Sequence, residues 1–307
     1  MELRLLSTFL AVANLGSFTQ AADQLNYAQS SVTSQVQALE NELGVRLFER
    51  LGKSIALTEE GRKLLPYARQ MLNLSQEARE AVSPAQTLNG PLVIGAPESL
   101  FAVRLGPLLS AFRKQYPEVE ISLRFGSCMD LNQYLRDSII DLAFYIDRRF
   151  AATPYVTLME WPEQLALLAA PGHPLVARGA PVSVTDLEGA SLILCEQGCT
   201  YRELLRRMLE DAGVTPGSTL ESSSVQVMKQ LAVDGFGVTL LPRVAVLDEL
   251  RDGRLADLPW VDQAAGMEDL SVRLVRHKDK WVTPAMRAFL QMAQQIILPS
   301  CEGWPDS

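Results

Sequence analysis

Residues 17–44 read SFTQAADQLNYAQSSVTSQVQALENELG. The block QSSVTSQ inside it is made of small polar residues that usually mark a loop. Yet Val32, Val36 and Leu39 run through and beyond the block at i, i+4 and i+7, which is helical spacing. The spacing predicts a helix over about residues 28–43, stopped by Gly44. Before it, Thr19 is an N-cap candidate for a short helix, QAADQL, whose Ala21 and Ala22 permit close approach of a neighbour. Asn26-Tyr27 makes the turn, because Asn tolerates the left-handed region. Two short helices across a tight turn fit a helix-turn-helix.

The second helix has two sides. With Ala22 and Leu25 of the first, Val32, Val36 and Leu39 form the buried side. The other side offers Gln29, Ser30, Thr33, Ser34 and Gln37, short or amide groups that reach base edges and phosphates. The helix N-terminus adds partial positive charge, so such a face need not be basic to meet DNA. The bland alternative is a solvated face of a three-helix bundle.

Working outward, residues 2–14 form a first helix with Leu3, Leu6, Phe9, Leu10 and Ala13 on one face and Gly16 as its stop. Downstream, VRLFERLGKSIALT reads as a short hairpin with Arg50 and Lys53 at its tip. A basic tip there favours the DNA reading, since each phosphate contact adds salt-dependent affinity.

From Thr58 the pattern is helical again. Leu64, Ala68, Met71, Ser75, Ala78 and Val82 are spaced 4, 3, 4, 3, 4, a coiled-coil-like seam with Pro66 inside it. Pro84 and Asn89-Gly90 mark a linker. Strand-like runs then alternate with helices: PLVIGAP, a helix near 103–116, VEISLRFG, the helix DLNQYLRDSI and IDLAFYI. This order predicts a parallel α/β sheet. A second set follows with QLALLAAP, ASLILCE, helices near 200–212 and 224–234, and GVTLLP. LSVRLVRH and a helix near 284–297 return the chain to the first lobe.

Length and composition set limits. A chain of 307 residues calls for two or three domains. Its apolar runs fall far short of the roughly 20 residues that span a bilayer, and the start MELRLLSTFLAVAN reads as a helix, not an export signal. The cytoplasm is the expected compartment, with reduced thiols and no membrane association. The net charge of −8 argues against a general polyanion binder, and residues 1–57 carry four basic against five acidic side chains. Any DNA contact must therefore come from placement of charge rather than its amount. Two histidines far apart and four cysteines give no metal-ligand spacing, and no cofactor motif stands out.

The stretch LSTFLAVANLGSFTQAADQLNYAQSSVTSQVQALENELGVRLFERLGKSIALTEEGRKLLPYA resembles the N-terminal winged helix-turn-helix of LysR-type transcriptional regulators. P-L-V-I-G after the linker, PGHPL and G-F-G-V-T-L-L-P extend the likeness over nearly the whole chain. The resemblance implies a winged helix-turn-helix over residues 1–58 and a linker and dimerisation helix over 59–89. It also implies an α/β effector domain over 90–301, two-lobed like a type 2 periplasmic binding protein. Lobe I would take about 90–160 and 268–301, and lobe II about 161–267. It implies operator DNA, a homodimer or homotetramer, a small-molecule effector and RNA polymerase as partners. By position, Gln29, Ser30, Ser31, Thr33, Ser34 and Gln35 would face DNA, with Arg50 and Lys53 on the wing. Tyr27-Ala28 and Lys53 depart from the common pattern, and Lys53 loses the bidentate geometry of Arg.

An α/β lobe binds ligands beyond the carboxyl ends of its strands. Those ends hold Glu98, Ser99 and Leu100, then Ser127 and Cys128, and in the second lobe Cys199, Thr200 and Tyr201. Ser99, Ser127 and Thr200 suit a carboxylate. Glu98 and Glu196 would repel one unless Arg202 or Arg148 offsets them, and they suit an amine or amino acid instead. The class of effector stays open between carboxylate, amino acid and amine.

A different function, thiol redox sensing, is suggested by Cys195 and Cys199, because Cys199 precedes a helix able to lower its pKa. Catalysis has less support. No Ser/His pair or glycine-rich phosphate loop is present, and His173 and His277 lie in a turn and a charged surface stretch.

Overall fold

The first helix, α1 (Leu3–Leu15), buries Leu5, Leu6, Phe9 and Val12 and ends at Gly16, whose φ of 60° is left-handed. Leu3, expected in the core, is exposed. The buried face is rotated away from it because α1 lies between two clusters. Leu6 and Phe9 meet Leu39 and Leu47, while Val12 meets Val32 and Val36.

Helix α2 (Phe18–Leu25) starts two residues earlier than expected. Its cap is Ser17, extended at φ −152°, whose hydroxyl accepts from the Gln20 amide at 3.3 Å. Thr19 lies inside the first turn. Asn26 closes α2 at φ 54°, and α3 (Gln29–Leu43) follows and ends at left-handed Gly44. Ala21 and Ala22 are buried where α2 meets its neighbours, and Leu25 is half-buried.

The hairpin is β1 (Phe48–Leu51) and β2 (Ser54–Leu57), antiparallel with Phe48 opposite Leu57 and Leu51 opposite Ser54. The Phe48 ring stands 5.4 Å from Phe9 and 5.8 Å from Phe18, centroid to centroid. The Glu40 carboxylate ties α3 to this region by accepting from the amides of Leu47 (2.8 Å) and Phe48 (3.3 Å). Thr58 caps α4 (Glu59–Val82), accepting from the Gly61 amide at 3.0 Å. The expected seam of α4 divides. Leu64 and Ala68 pack against α1 and the hairpin, whereas Tyr67, Met71 and Leu74 are exposed.

The computed structural model describes residues 1–51, 54–82, 88–101, 105–147, 154–261 and 270–301. The chain divides into two compact units, one built on Met1–Thr87 and the other on Leu88–Leu135 and Ile140–Ser307.

The second unit runs β3 (Gly90–Ala96), α5 (Glu98–Leu100), α6 (Gly106–Gln115), β4 (Val119–Phe125), α7 (Cys128–Arg136), β5 (Leu142–Asp147) and β6 (Tyr155–Pro162). It continues with β7 (Leu165–Ala169), α8 (Pro174–Ala177), β8 (Ser191–Cys195), α9 (Thr200–Asp211), β9 (Ser218–Ser222) and α10 (Val225–Val233). The last elements are β10 (Val238–Pro242), α11 (Leu247–Arg251), β11 (Ala256–Asp257), β12 (Ser271–His277) and α12 (Pro284–Cys301).

Two five-stranded sheets result, ordered β4-β3-β5-β12-β6 in the first lobe and β11-β7-β10-β8-β9 in the second. Each is mixed, which corrects the expectation of parallel sheets. β3 is parallel to β4 and β5, but β12 runs antiparallel to β5 and β6. In the second lobe β8 is parallel to β9 and β10, while β7 opposes β10 and β11. Parallel neighbours need a crossover of a dozen or more residues. The helical crossovers supply that for β3, β4 and β5. β12 enters the first lobe from the second and does not follow a crossover within its own sheet.

Each sheet has its own core. In the first lobe Phe112 of α6 meets Phe289 of α12 at 5.4 Å, both fully buried, and burial of one such ring contributes about 1.5–3 kcal/mol. In the second, Leu168, Ile193, Leu205, Met228 and Leu241 are packed together. Gly235 takes a left-handed φ of 79°, and a Cβ on Gly237 would collide with the backbone carbonyl of Ser191. The left-handed turn explains the first glycine of GFGVTLLP, and the close approach of the Ser191 backbone explains the second.

Candidate functional site

Two regions collect the polar residues singled out above. On α3, Gln29, Ser30, Ser31, Ser34 and Gln37 are exposed. Thr33 is half-buried, and its hydroxyl donates to the Gln29 carbonyl at 3.0 Å. Ala28 offers no side-chain cap, so the first amides of α3 are left for an outside acceptor. Gln35 differs from the others. Its Oε1 accepts from the hydroxyl of Thr8, a residue only 1% exposed, at 2.6 Å. Through its Oε1 the half-buried Gln35 ties α3 to α1. Arg50 belongs to β1, but its side chain lies outside the described residues, as does the whole of Lys53.

The second region is a cavity of about 580 Å³ between the two lobes. It lies beyond the carboxyl ends of β3, β4, β8 and β9, where an α/β sheet leaves room for a ligand. Glu98, Ser99, Ser127, Cys128, Cys199, Thr200 and Tyr201 all line it. Leu100 does not: it is fully buried in the core of the first lobe. Phe101, Phe125, Asp130, Ile146, Ser223 and Val225 line it without having been singled out. Ser223 and Val225 were missed because β9, reading STLES, has no apolar run to announce it.

The hydrogen bonds of the cleft are specific. Glu98 reaches from the end of β3 to the start of α10, accepting from Ser224 Oγ (3.2 Å) and the Val225 amide (2.9 Å). Asp130, in the first turn of α7, reaches back to Ser127 before it, accepting from its amide and hydroxyl at 2.9 and 2.7 Å. Ser99 is 2% exposed, and among the described residues its hydroxyl has no partner. Arg202, expected to offset the acids, is committed elsewhere. It donates to the Cys195 carbonyl at 2.9 Å and pairs with Glu221. Arg148 lies outside the described residues. Burial, with Asp130 and Glu98 adding to it, raises the Glu196 carboxyl above its usual range.

The thiols invert the expectation for Cys199. Burial pushes Cys199 far above the thiol range, and its hydrogen bond to Cys195 adds to this. Cys195 is the depressed one, drawn below the usual thiol range by hydrogen bonds from Cys199 and from Tyr201 Oη, the latter at 3.5 Å. Cys128, beside Thr200 at 3.6 Å, is pushed up to about 11 by burial. His173 serves as the cap of α8, its Nδ1 accepting from the Leu175 amide at 3.2 Å. Among the described residues no helix is long and apolar enough to cross a membrane.

Two family models match the chain. Residues 3–62 match the bacterial regulatory helix-turn-helix protein of the lysR family, and residues 85–296 match the LysR substrate binding domain. The uncharacterized HTH-type transcriptional regulator YwqM of Bacillus subtilis (strain 168) is 36% identical over 298 residues, covering 96% of this chain and 99% of the relative. The HTH-type transcriptional regulator GltR of the same strain is 32% identical over 290 residues, 94% of this chain and 95% of the relative. A full-length OxyR variant from Pseudomonas aeruginosa shares the fold at a TM-score of 0.75 and 24% identity, covering 97% of this chain and 95% of that one.

Proposed function

This chain belongs to the LysR family of DNA-binding transcriptional regulators, and on that premise we propose how its parts divide the work. Residues 1–58 hold operator DNA, 59–89 join two copies and 90–301 bind an effector. Gln29, Ser30, Ser31, Thr33 and Ser34 meet the major groove, and Arg50 and Lys53 meet phosphates beside it. The observation that carries this is the exposed Gln/Ser face of α3, held on a buried core of Val32, Val36 and Leu39. Tyr67, Met71 and Leu74 form the exposed apolar line that a second copy covers, giving a dimer and then a tetramer.

A small molecule in the interlobe cavity controls the heads. It must bind one arrangement of the protein better than another to shift DNA binding. RNA polymerase is the downstream partner, the cytoplasm the compartment, and the ligand leaves unchanged because the protein acts by binding. Selecting duplexes from a random pool with the full-length protein tests the α3 assignment. The wild type should enrich one sequence and Gln29→Ala should lose that enrichment; equal enrichment by both would remove Gln29 from base reading.

A second reading has one observation in its favour. Cys195, with Tyr201 donating to it and Cys199 beside it, lines the same cavity and is the thiol drawn down toward neutrality. In that reading the switch is oxidation of Cys195 in place of, or together with, ligand binding.

A further inference from the structure

The lining of the interlobe cavity has one sign of charge. Three carboxylates, Glu98, Asp130 and Glu196, border it, and among the described residues no Lys, Arg or His does. Arg202, the nearest candidate in sequence, donates instead to the Cys195 carbonyl and to Glu221. An anionic ligand entering this space would meet uncompensated negative charge.

The three acids are not equivalent. Glu98 is held by Ser224 and the Val225 amide, and Asp130 by Ser127. The start of α10, one of the helix N-termini at the cavity, is thus already filled by the protein's own carboxylate. Glu196 has no hydrogen-bond partner for its side chain among the described residues, and it faces the fields of Asp130 and Glu98.

Two further features point to a bound molecule. Ser99 lines the cavity, and its buried hydroxyl lacks a partner among the described residues, which leaves it free to bond a polar atom of a ligand. Phe101 and Phe125 form an edge-to-face pair, centroids 5.3 Å apart, on the same wall, with Phe125 half open to solvent. Aromatic rings beside carboxylates suit an organic cation, whose charge is attracted both to the carboxylate and to the ring faces.

We infer that the effector carries an ammonium group held by Glu196, with its apolar body against Phe101 and Phe125 and a polar atom on Ser99. The assignment rests on the cleft being the effector site. A bound ammonium relieves the repulsion between Glu196 and its two acidic neighbours, and it keeps Glu196 ionised where burial and those neighbours favour the protonated form.

The test is calorimetric titration of the full-length protein with four probes that share one body: 2-phenylethylammonium, phenylalanine, 3-phenylpropionate and 2-phenylethanol. The ammonium should bind about 10-fold or more tighter than the alcohol and the carboxylate. Glu196→Gln should remove that preference without lowering the melting temperature of the free protein, since Glu196 makes no side-chain hydrogen bond among the described residues. Phenylalanine separates the two sources of the ammonium: binding at least as tight as the amine means an amino acid, weaker binding a plain amine. Tighter binding of 3-phenylpropionate, or no binding by any probe, would overturn the ammonium assignment. Ser223→Trp, at an exposed position on the cavity wall, tests the cleft itself. Ammonium binding that survives both Glu196→Gln and Ser223→Trp would place the site elsewhere and sink the cleft reading too.

Discussion

The Glu98 carboxylate at the end of β3 accepts a hydrogen bond from Ser224 Oγ across the cleft, and the adjoining Val225 amide donates to its second oxygen at 2.9 Å. One side chain of the first lobe thereby serves as the anion at the start of a helix in the second. Charge-assisted bonds of this kind are stronger than neutral ones, and the helix terminus adds to them. Glu98 is a strut between lobes before it is anything to a ligand.

Glu98→Gln keeps the shape and removes the charge. The loss should be about 1 kcal/mol, which lowers the melting temperature of an effector domain this size by about 2–4 °C. Calorimetry of the full-length protein checks it. An unchanged transition would mean that the contact adds nothing to the closed arrangement.

Gln29 and Gln35 sit on one helix and should behave oppositely. Gln29→Ala should weaken binding to a selected operator by about 1–3 kcal/mol while leaving non-specific binding nearly intact. Gln35→Ala removes one of the two acceptors of the buried Thr8 hydroxyl, leaving the Arg4 carbonyl at 3.1 Å, so it should cost about 0.5–1.5 kcal/mol of stability instead. Anisotropy titrations and urea melts on both variants separate the two roles, and a Gln35→Ala protein of wild-type stability would count against the contact.

Leu74 is 65% exposed in a single chain and continues the line of Tyr67 and Met71. If a second copy covers that line, Leu74→Glu should raise the dimer dissociation constant by about 10-fold or more. Sedimentation velocity over a dilution series reads this out. The same dissociation constant in both proteins would remove the stripe from the interface.

A methyl group at Gly237 has nowhere to go, because the Ser191 carbonyl stands against it. Gly237→Ala should destabilise by at least the 1–3 kcal/mol typical of overpacking, since backbone must yield. Gly172→Ala, at a position with open space, is the control and should be nearly neutral. Equal urea midpoints for the two variants would contradict this packing.

Cys195 should react with a small alkylating agent faster than Cys128, and its rate should rise with pH through a midpoint below the usual thiol range, as its thiolate forms. Below that midpoint the rate falls as the thiol is protonated. Tyr201→Phe removes one donor to the sulfur and should move the midpoint upward. Mass spectrometry of reacted peptides across pH reads both, and a midpoint that Tyr201→Phe leaves in place would refute the hydrogen bond's role.

Much of the DNA-binding unit was legible because its signals are local. Gly16, Asn26 and Gly44 stand where backbone must turn left-handed, and all three do so. The period of Val32, Val36 and Leu39 finds the buried side of α3 whatever lies against it. Thr19 was mistaken for a cap because Ser and Thr both occur in Ser17-Phe18-Thr19, and local preference alone does not rank them. The cleft was half legible: strand ends announced Ser99, Ser127 and Thr200, but the weakly apolar β9 hid Ser223 and Val225.

What the chain determined by itself is therefore most of its order of helices and strands, β6, β9 and β11 excepted, its turns and the family they spell. These follow from backbone preferences and hydrophobic periods that act within a few residues. Tertiary structure alone decided the partners of its polar side chains. Glu98 meets Ser224, 126 positions away, Thr8 engages the Oε1 of Gln35, and Arg202 turns from the cleft to Glu221. A carboxylate, amide or guanidinium can satisfy its hydrogen bonds with many partners. Which one it takes depends on what the packed cores bring within about 3 Å.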